Sequence, residues 1–295
     1  MTTAPLSVGE PAGAHRRQEN GVEAPSGKDA AYENFPVGSW LLPAALRPHV
    51  ARFYAYARAI DDIADSPDLS PDEKVARLDG FARALNGEED DPAYAKAHAM
   101  RQCLDATGIT RRHCLDLVSA FKQDAVKGRY ASWSELVDYC DRSAAPVGRF
   151  LLDLHGGSRE GYAASDALCN ALQVINHLQD CQDDYRKLDR VYLPLDWMRE
   201  EGAEVADLNG SRTPPPLRRV LDRCLAATGA LLSEAERLPG ALRSRRLAME
   251  SAAILTIARA LVRRLQAGDP LAGRIQLSKA GFAWCCARGA VAQLV

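Results

Sequence analysis

A chain of 295 residues, 47% hydrophobic and 26% charged, has the balance of a soluble globular protein and the length for one large domain or two modest ones. Its formal net charge of -2 offers no general attraction to nucleic acid, so no nucleic-acid partner is expected. Eight cysteines at irregular spacings, with no C-x-x-C pair, zinc spacing or secretory signal, read as reduced and mostly buried thiols in a cytoplasmic protein.

Residues 1–28 are rich in Gly, Pro, Ala and charge without a hydrophobic period, and read as a disordered tail; 29–295 read as one helical domain. Ser26-Gly27-Lys28 is similar to the end of a phosphate loop, but Val22 stands where that loop needs its first Gly and no apolar strand precedes it. A short helix is expected from Asn34 to about Leu42, then a longer one from Arg47 to about Ala64, stopped by Ser66-Pro67. Ser70-Pro71-Asp72-Glu73 is a helix start with Ser as N-cap and Pro at the first position, and Asn86-Gly87 ends that helix. Helical periods resume over 93–106, 110–126, 132–155 and 161–188, separated by Gly-containing breaks. After Tyr192-Leu193-Pro194 come a short helix at 196–200 and a loop of about fifteen residues, Gly202 to Pro216. Helices over 217–237, 243–266 and 273–293 complete an all-α chain in which no alternating strand stands out and no apolar run could span a membrane. The last helix is apolar, with Phe282, Trp284 and Leu294. Core packing is its preferred reading, and contact with a membrane surface is the alternative.

Two stretches carry chemistry. Asp61 and Asp65, and far downstream Asp180 and Asp184, are carboxylate pairs four residues apart, which places each pair on one helix face. Like charges so placed repel, and a hard divalent cation relieves the repulsion. Glu-x-x-His, the di-iron bundle motif, is absent, and the motifs lie inside helical periods, unlike calcium loops. Zinc would want His or Cys; His177 and Cys181 are near, but isolated residues of this kind more often pack. Magnesium fits best, with manganese as its substitute, because it takes one or two carboxylates and shares phosphate oxygens. Arg58 and Tyr54, three and seven residues before Asp61, face the same way. Gln173 and Asn176 precede Asp180 by seven and four residues in an otherwise apolar run.

These segments together, with Arg129-Tyr130, Tyr139-Cys140, Ala144-Ala145-Pro146-Val147-Gly148 and Arg190-Val191-Tyr192-Leu193-Pro194, resemble the squalene and phytoene synthase family over about Asn34 to Arg274. The opening Glu33 to Ser39 is similar to the subgroup found in bacterial hopanoid clusters. The resemblance implies an isoprenoid-synthase helical bundle around a central apolar cavity. It implies magnesium on Asp61, Asp65, Asp180 and Asp184, with Asp61 and Asp180 also catalytic. Tyr139 and Tyr54 would stand near the reacting carbons, and Arg58, Asn34, Phe35, Gln173, Asn176, Arg190, Tyr192 and Arg274 would contact a prenyl diphosphate.

Three departures from the family pattern bear on the reaction: Asn34 in place of Ser, Gln179 in place of Arg, and Ile257 in place of Tyr. Fewer ligands for diphosphate favour the second half-reaction, ionisation of presqualene diphosphate with water capture to give hydroxysqualene, without NADPH. A complete condensing synthase is the alternative, and a non-catalytic helical partner of another prenyl enzyme is a third reading. Neighbouring hopanoid-pathway enzymes and the inner face of the cell membrane are the partners implied.

Overall fold

The structure, a computed structural model, describes residues 22–23, 42–157 and 159–293. The short helix expected at 34–42, the sites expected at Asn34 and Phe35, and Leu294 lie outside the described residues, apart from Leu42 itself. Of the stretch read as a disordered tail, Val22 and Glu23 are described and touch the domain: Arg77 donates to the Val22 carbonyl, and Lys96 pairs with Glu23.

Helix α1 (Arg47–Asp65) runs to the expected stop. In α2 (Pro71–Asn86), Ser70 and Glu73 form a reciprocal capping box, and Gly87 closes the helix at φ 84, a left-handed conformation that costs Gly little. These two, with α3 (Ala95–Thr107) and α4 (Arg112–Val126), enclose one hydrophobic core, which Phe150 joins by stacking on Phe53 at 4.2 Å.

The helix expected over 132–155 is two, α5 (Trp133–Ser143) and α6 (Ala145–Leu154). Pro146 cannot donate to the preceding turn and its ring would strike the carbonyl four residues back, so the chain breaks at Ala144 (φ -121, ψ -46) and restarts. The longest helix, α7 (Tyr162–Leu188), is central to a second core shared with α5, α9 (Pro215–Ala235) and α11 (Arg245–Ala267). Leu168, Ile175 and Leu178 on α7 are buried there, each stabilising the fold by ~1.5–3 kcal/mol over its exposed state.

A short parallel pair stands where no strand was expected: β1 (Arg129–Tyr130) beside β2 (Val191–Pro194). Two segments far apart in sequence thus meet, helped by Gly128, where a Cβ would lie 2.6 Å from the Asp189 carbonyl. The short α8 (Leu195–Glu201) follows β2. The loop expected at 202–216 is largely ordered on α7: Gln182 donates to the Leu208 and Gly210 carbonyls, and α9 begins at Pro215. After the one-turn α10 (Leu238–Ala241) and α11, the last helix starts later than expected, as α12 (Lys279–Val291), because Ser278 caps it by accepting from Gly281 N–H. It packs on α11 through Cys285 and Gly289, as the core-packing reading requires, while Trp284 and Val291 face outward. All eight cysteines are free, and among the described residues no helix is long and apolar enough to cross a membrane.

Candidate active site

Where the two cores meet, α1, α6, α7 and α11 surround a cavity of about 350 Å³. Hydrocarbon side chains such as Val50, Phe53, Leu168 and Leu172 make up most of its wall. Arg58 and Asp61 of α1, and Gln173 and Asn176 of α7, supply polar groups to the same wall, with Tyr54 one turn from Arg58. Asp61 of the first motif, and Gln173 and Asn176 upstream of the second, therefore border one space; Asp65, Asp180 and Asp184 are not part of the wall found among the described residues.

The first motif is held by two arginines. Arg58 is bound to Asp61 (3.0 Å) and Asp62 (2.7 Å); burial opposes its charge, but the two carboxylates raise the guanidinium further above its ordinary range. Arg190, at the start of β2, is 6% exposed and donates to Asp65 at 2.6 Å and to the Ala64 carbonyl at 2.8 Å. That carbonyl lies in the last turn of α1, where backbone acceptors lack helical partners and a cation is favourable.

Behind Arg190 stands Asp124 of α4, which accepts from Tyr139 (2.5 Å) and Tyr192 (3.0 Å). Burial pushes its carboxyl up to about 6 although Arg190 and both phenols pull it down. Tyr192 stacks on His177 of α7 at 3.7 Å, and His177 Nδ1 lies 3.9 Å from Asp184. Asp65 bound to Arg190, the charge of Arg190 acting on Asp124, and Asp124 bound to Tyr192 beside His177 and Asp184 thereby link the two motifs.

Asp180 is gripped by Arg274 through Nε (2.9 Å) and the terminal nitrogen (3.2 Å). Burial raises the Asp180 carboxyl; Arg274 opposes this, and Asp184 and Asp183 add to it. Gln179 is buried and donates to the Ile275 carbonyl, so it fastens the segment carrying Arg274 to α7. Ile257 is a core residue of α11.

The structure separates the two candidate tyrosines. Tyr54 borders the cavity, whereas Tyr139 is absent from the wall found among the described residues and is spent on Asp124. Among those residues no three His, Cys, Asp or Glu side chains gather into a metal site of their own. The donor set offered by each motif, carboxylate oxygen without thiolate, still suits a hard cation that draws its remaining ligands from phosphate and water.

Two acids escaped notice in the sequence. Asp124 follows Leu117 by seven residues and Phe121 by three on the apolar face of α4, and Glu250 lies between Leu247 and Ile254 on that of α11. An acid at a core position of a helical period is the signal for both.

A helical bundle closed around a hydrocarbon cavity, with carboxylates on two of its helices and arginines set against them, is the isoprenoid-synthase fold. The squalene/phytoene synthase family model matches residues 29–280, and the chain belongs to that family. It is 42% identical to a hydroxysqualene synthase of Rhodopseudomonas palustris over 260 residues, 88% of each chain, and 40% identical to one of Zymomonas mobilis, covering 92% of each. The crystal structure of squalene synthase HpnC from Alicyclobacillus acidocaldarius superposes with a TM-score of 0.68 at 31% identity, covering 78% of this chain and 87% of that one. A dehydrosqualene synthase in complex with ligand, 18% identical with a TM-score of 0.73 over 85% of this chain and 88% of its own, shares the fold.

Proposed function

We propose that this enzyme ionises presqualene diphosphate and lets water capture the rearranged cation, releasing hydroxysqualene and diphosphate. The observation that carries the proposal is the single cavity that places Arg58, Asp61, Gln173 and Asn176 on otherwise hydrocarbon walls, in a chain about 40% identical to hydroxysqualene synthases. Asp61, Asp65, Asp180 and Asp184 would hold magnesium, with manganese as substitute. The ion would supply positive charge to the departing diphosphate.

The chain's own groups do the rest. Arg58 and Arg274, already facing Asp61 and Asp180, are positioned to share their donors with phosphate oxygens. Amide groups of Gln173 and Asn176 add neutral donors at the same wall. Tyr54 presents its ring to the cation, an interaction worth ~0.5–2 kcal/mol. Tyr139 and Tyr192 act at one remove, fixing Asp124 and through it Arg190 and Asp65. Hydrocarbon walls keep bulk water from the cation until it has rearranged. An alcohol formed by water capture needs no hydride, so NADPH has no part in the step.

Incubating the purified enzyme with presqualene diphosphate, and separately with farnesyl diphosphate, tests the proposal by mass spectrometry of the products. Hydroxysqualene from the first and little turnover of the second is the expected result. Efficient conversion of farnesyl diphosphate would favour a complete condensing synthase, a second reading supported by 31% identity to a Thermus thermophilus phytoene synthase. Full pathway activity in cells carrying Asp61→Ala and Asp180→Ala would instead point to a non-catalytic partner. The outward face of α12, where Trp284 is 68% exposed and Val291 lies two turns further on, is proposed as a contact with the surface of the membrane.

A further inference from the structure

Glu250 is an acid in a place that suits hydrocarbon. Leu247 and Ile254, about one turn before and after it on α11, border the cavity, and so does Glu250. The residue is 5% exposed, and its Oε2 has no hydrogen-bond partner among the described residues. Burial alone pushes the carboxyl up to about 7; no cation nearby contributes. Ser143, at the end of α5, also borders the cavity with a buried hydroxyl that has no hydrogen-bond partner among the described residues.

Unsatisfied polar atoms of this kind are costly, and the usual remedy is a held water with two to four polar neighbours. The cavity, at about 350 Å³, has ample room, since one water's share of the liquid is ~30 Å³. Arginine-bound carboxylates cluster with the Asp motifs, whereas Glu250 is the carboxyl of the cavity wall supplied by α11.

We propose that Glu250 holds the water that captures the substrate cation and takes its proton as the carbon–oxygen bond forms; this rests on the water-capture reaction proposed above. Ionisation breaks the substrate's carbon–oxygen bond, and the electron pair leaves with diphosphate. A lone pair of the held water then bonds to the electron-poor carbon, and one of its protons passes to the Glu250 carboxylate. Nothing is oxidised or reduced. Ser143 offers the same water, or one beside it, a hydroxyl.

Glu250→Leu and Glu250→Gln test the assignment. Each variant and the wild type are given presqualene diphosphate and magnesium in isotopically labelled water. Diphosphate release and the fraction of product carrying labelled hydroxyl are then measured. For Glu250→Leu, diphosphate release stays within about threefold of wild type while the alcohol fraction falls about tenfold or more, replaced by hydrocarbons that have lost a proton. Glu250→Gln, which keeps a polar group but accepts no proton, falls between. Thermal melts accompany the assay: with a lone buried acid removed, Glu250→Leu melts no lower than wild type. Should Glu250→Leu fail to fold, Glu250→Gln decides. An unchanged alcohol fraction in the folded variants overturns the role of Glu250 while leaving the reaction intact. A wild type that makes no alcohol from presqualene diphosphate overturns the reaction itself.

Discussion

Replacing Arg190 by Met is expected to destabilise the fold by about 3–4 kcal/mol. The side chain is 7% exposed and serves three acceptors or charges at once: Asp65, the Ala64 carbonyl, and the field at Asp124. Breaking a buried ion pair by removing one partner costs ~3–5 kcal/mol, because the other charge is left behind. The lower end applies here, since the Asp65 side chain is 19% exposed and can be hydrated. Losing the cation from the last turn of α1 adds ~0.3–1 kcal/mol. With a urea dependence of about 3 kcal/mol per molar, the top of the range for small proteins, the midpoint of unfolding moves down by about 1 M. Far-UV circular dichroism against urea measures it. Asp65→Asn combined with Arg190→Met should be less destabilised than the sum of the two single changes, since each removes the same pair. A shift below ~0.3 M, which is ~1 kcal/mol, or strict additivity in the double variant, would refute the account of Arg190 as the shared counter-charge.

Other outcomes follow from the same geometry. Asp124 has a folded carboxyl raised from 3.8 to about 6, so its contribution to stability is full below pH ~4 and lost as pH rises through ~6. Chemical denaturation across that window should show the wild type losing stability relative to Asp124→Asn, and parallel pH profiles would contradict it. Gly148→Ala puts a Cβ 2.3 Å from Ser165 Oγ and 2.8 Å from Cys169 Sγ, so a loss of ~1–3 kcal/mol is expected, partly restored by adding Ser165→Ala. Calorimetric melting of the three proteins decides, with no recovery in the double variant counting against the clash. Trp284→Glu should reduce co-flotation with anionic liposomes without changing the melting temperature; equal flotation removes α12 as the membrane contact.

Much of the fold was written in local signals. Ser70, Pro71 and Glu73 announce α2, and Gly87 its end, because capping chemistry acts within four residues. The motifs at Asp61 and Asp180 were visible because helical spacing alone places each pair on one face. What local patterns could not carry was pairing at a distance. Four residues of β2 beside two of β1 have no periodicity to detect, yet they bring Arg190 to Asp65 across 125 positions. The sequence likewise presents Gln179 as a missing cation near phosphate, whereas its amide is turned to a backbone carbonyl ninety-six residues on. Asp124 and Glu250 were legible in principle, as acids interrupting apolar stripes, but only the packed structure separates the acid bound by two phenols from the one facing a cavity.

Gly289 sets how closely the last helix lies on its neighbour. A Cβ there would stand 2.4 Å from the Ala253 Cα, so only Gly lets α12 lie this closely on α11. Ala253 is three residues from Glu250, so the two share nearly one face of α11, and the seam with α12 runs beside the cavity wall. A larger side chain at 289 would therefore push α12 off a stretch of α11 that also builds the cavity wall.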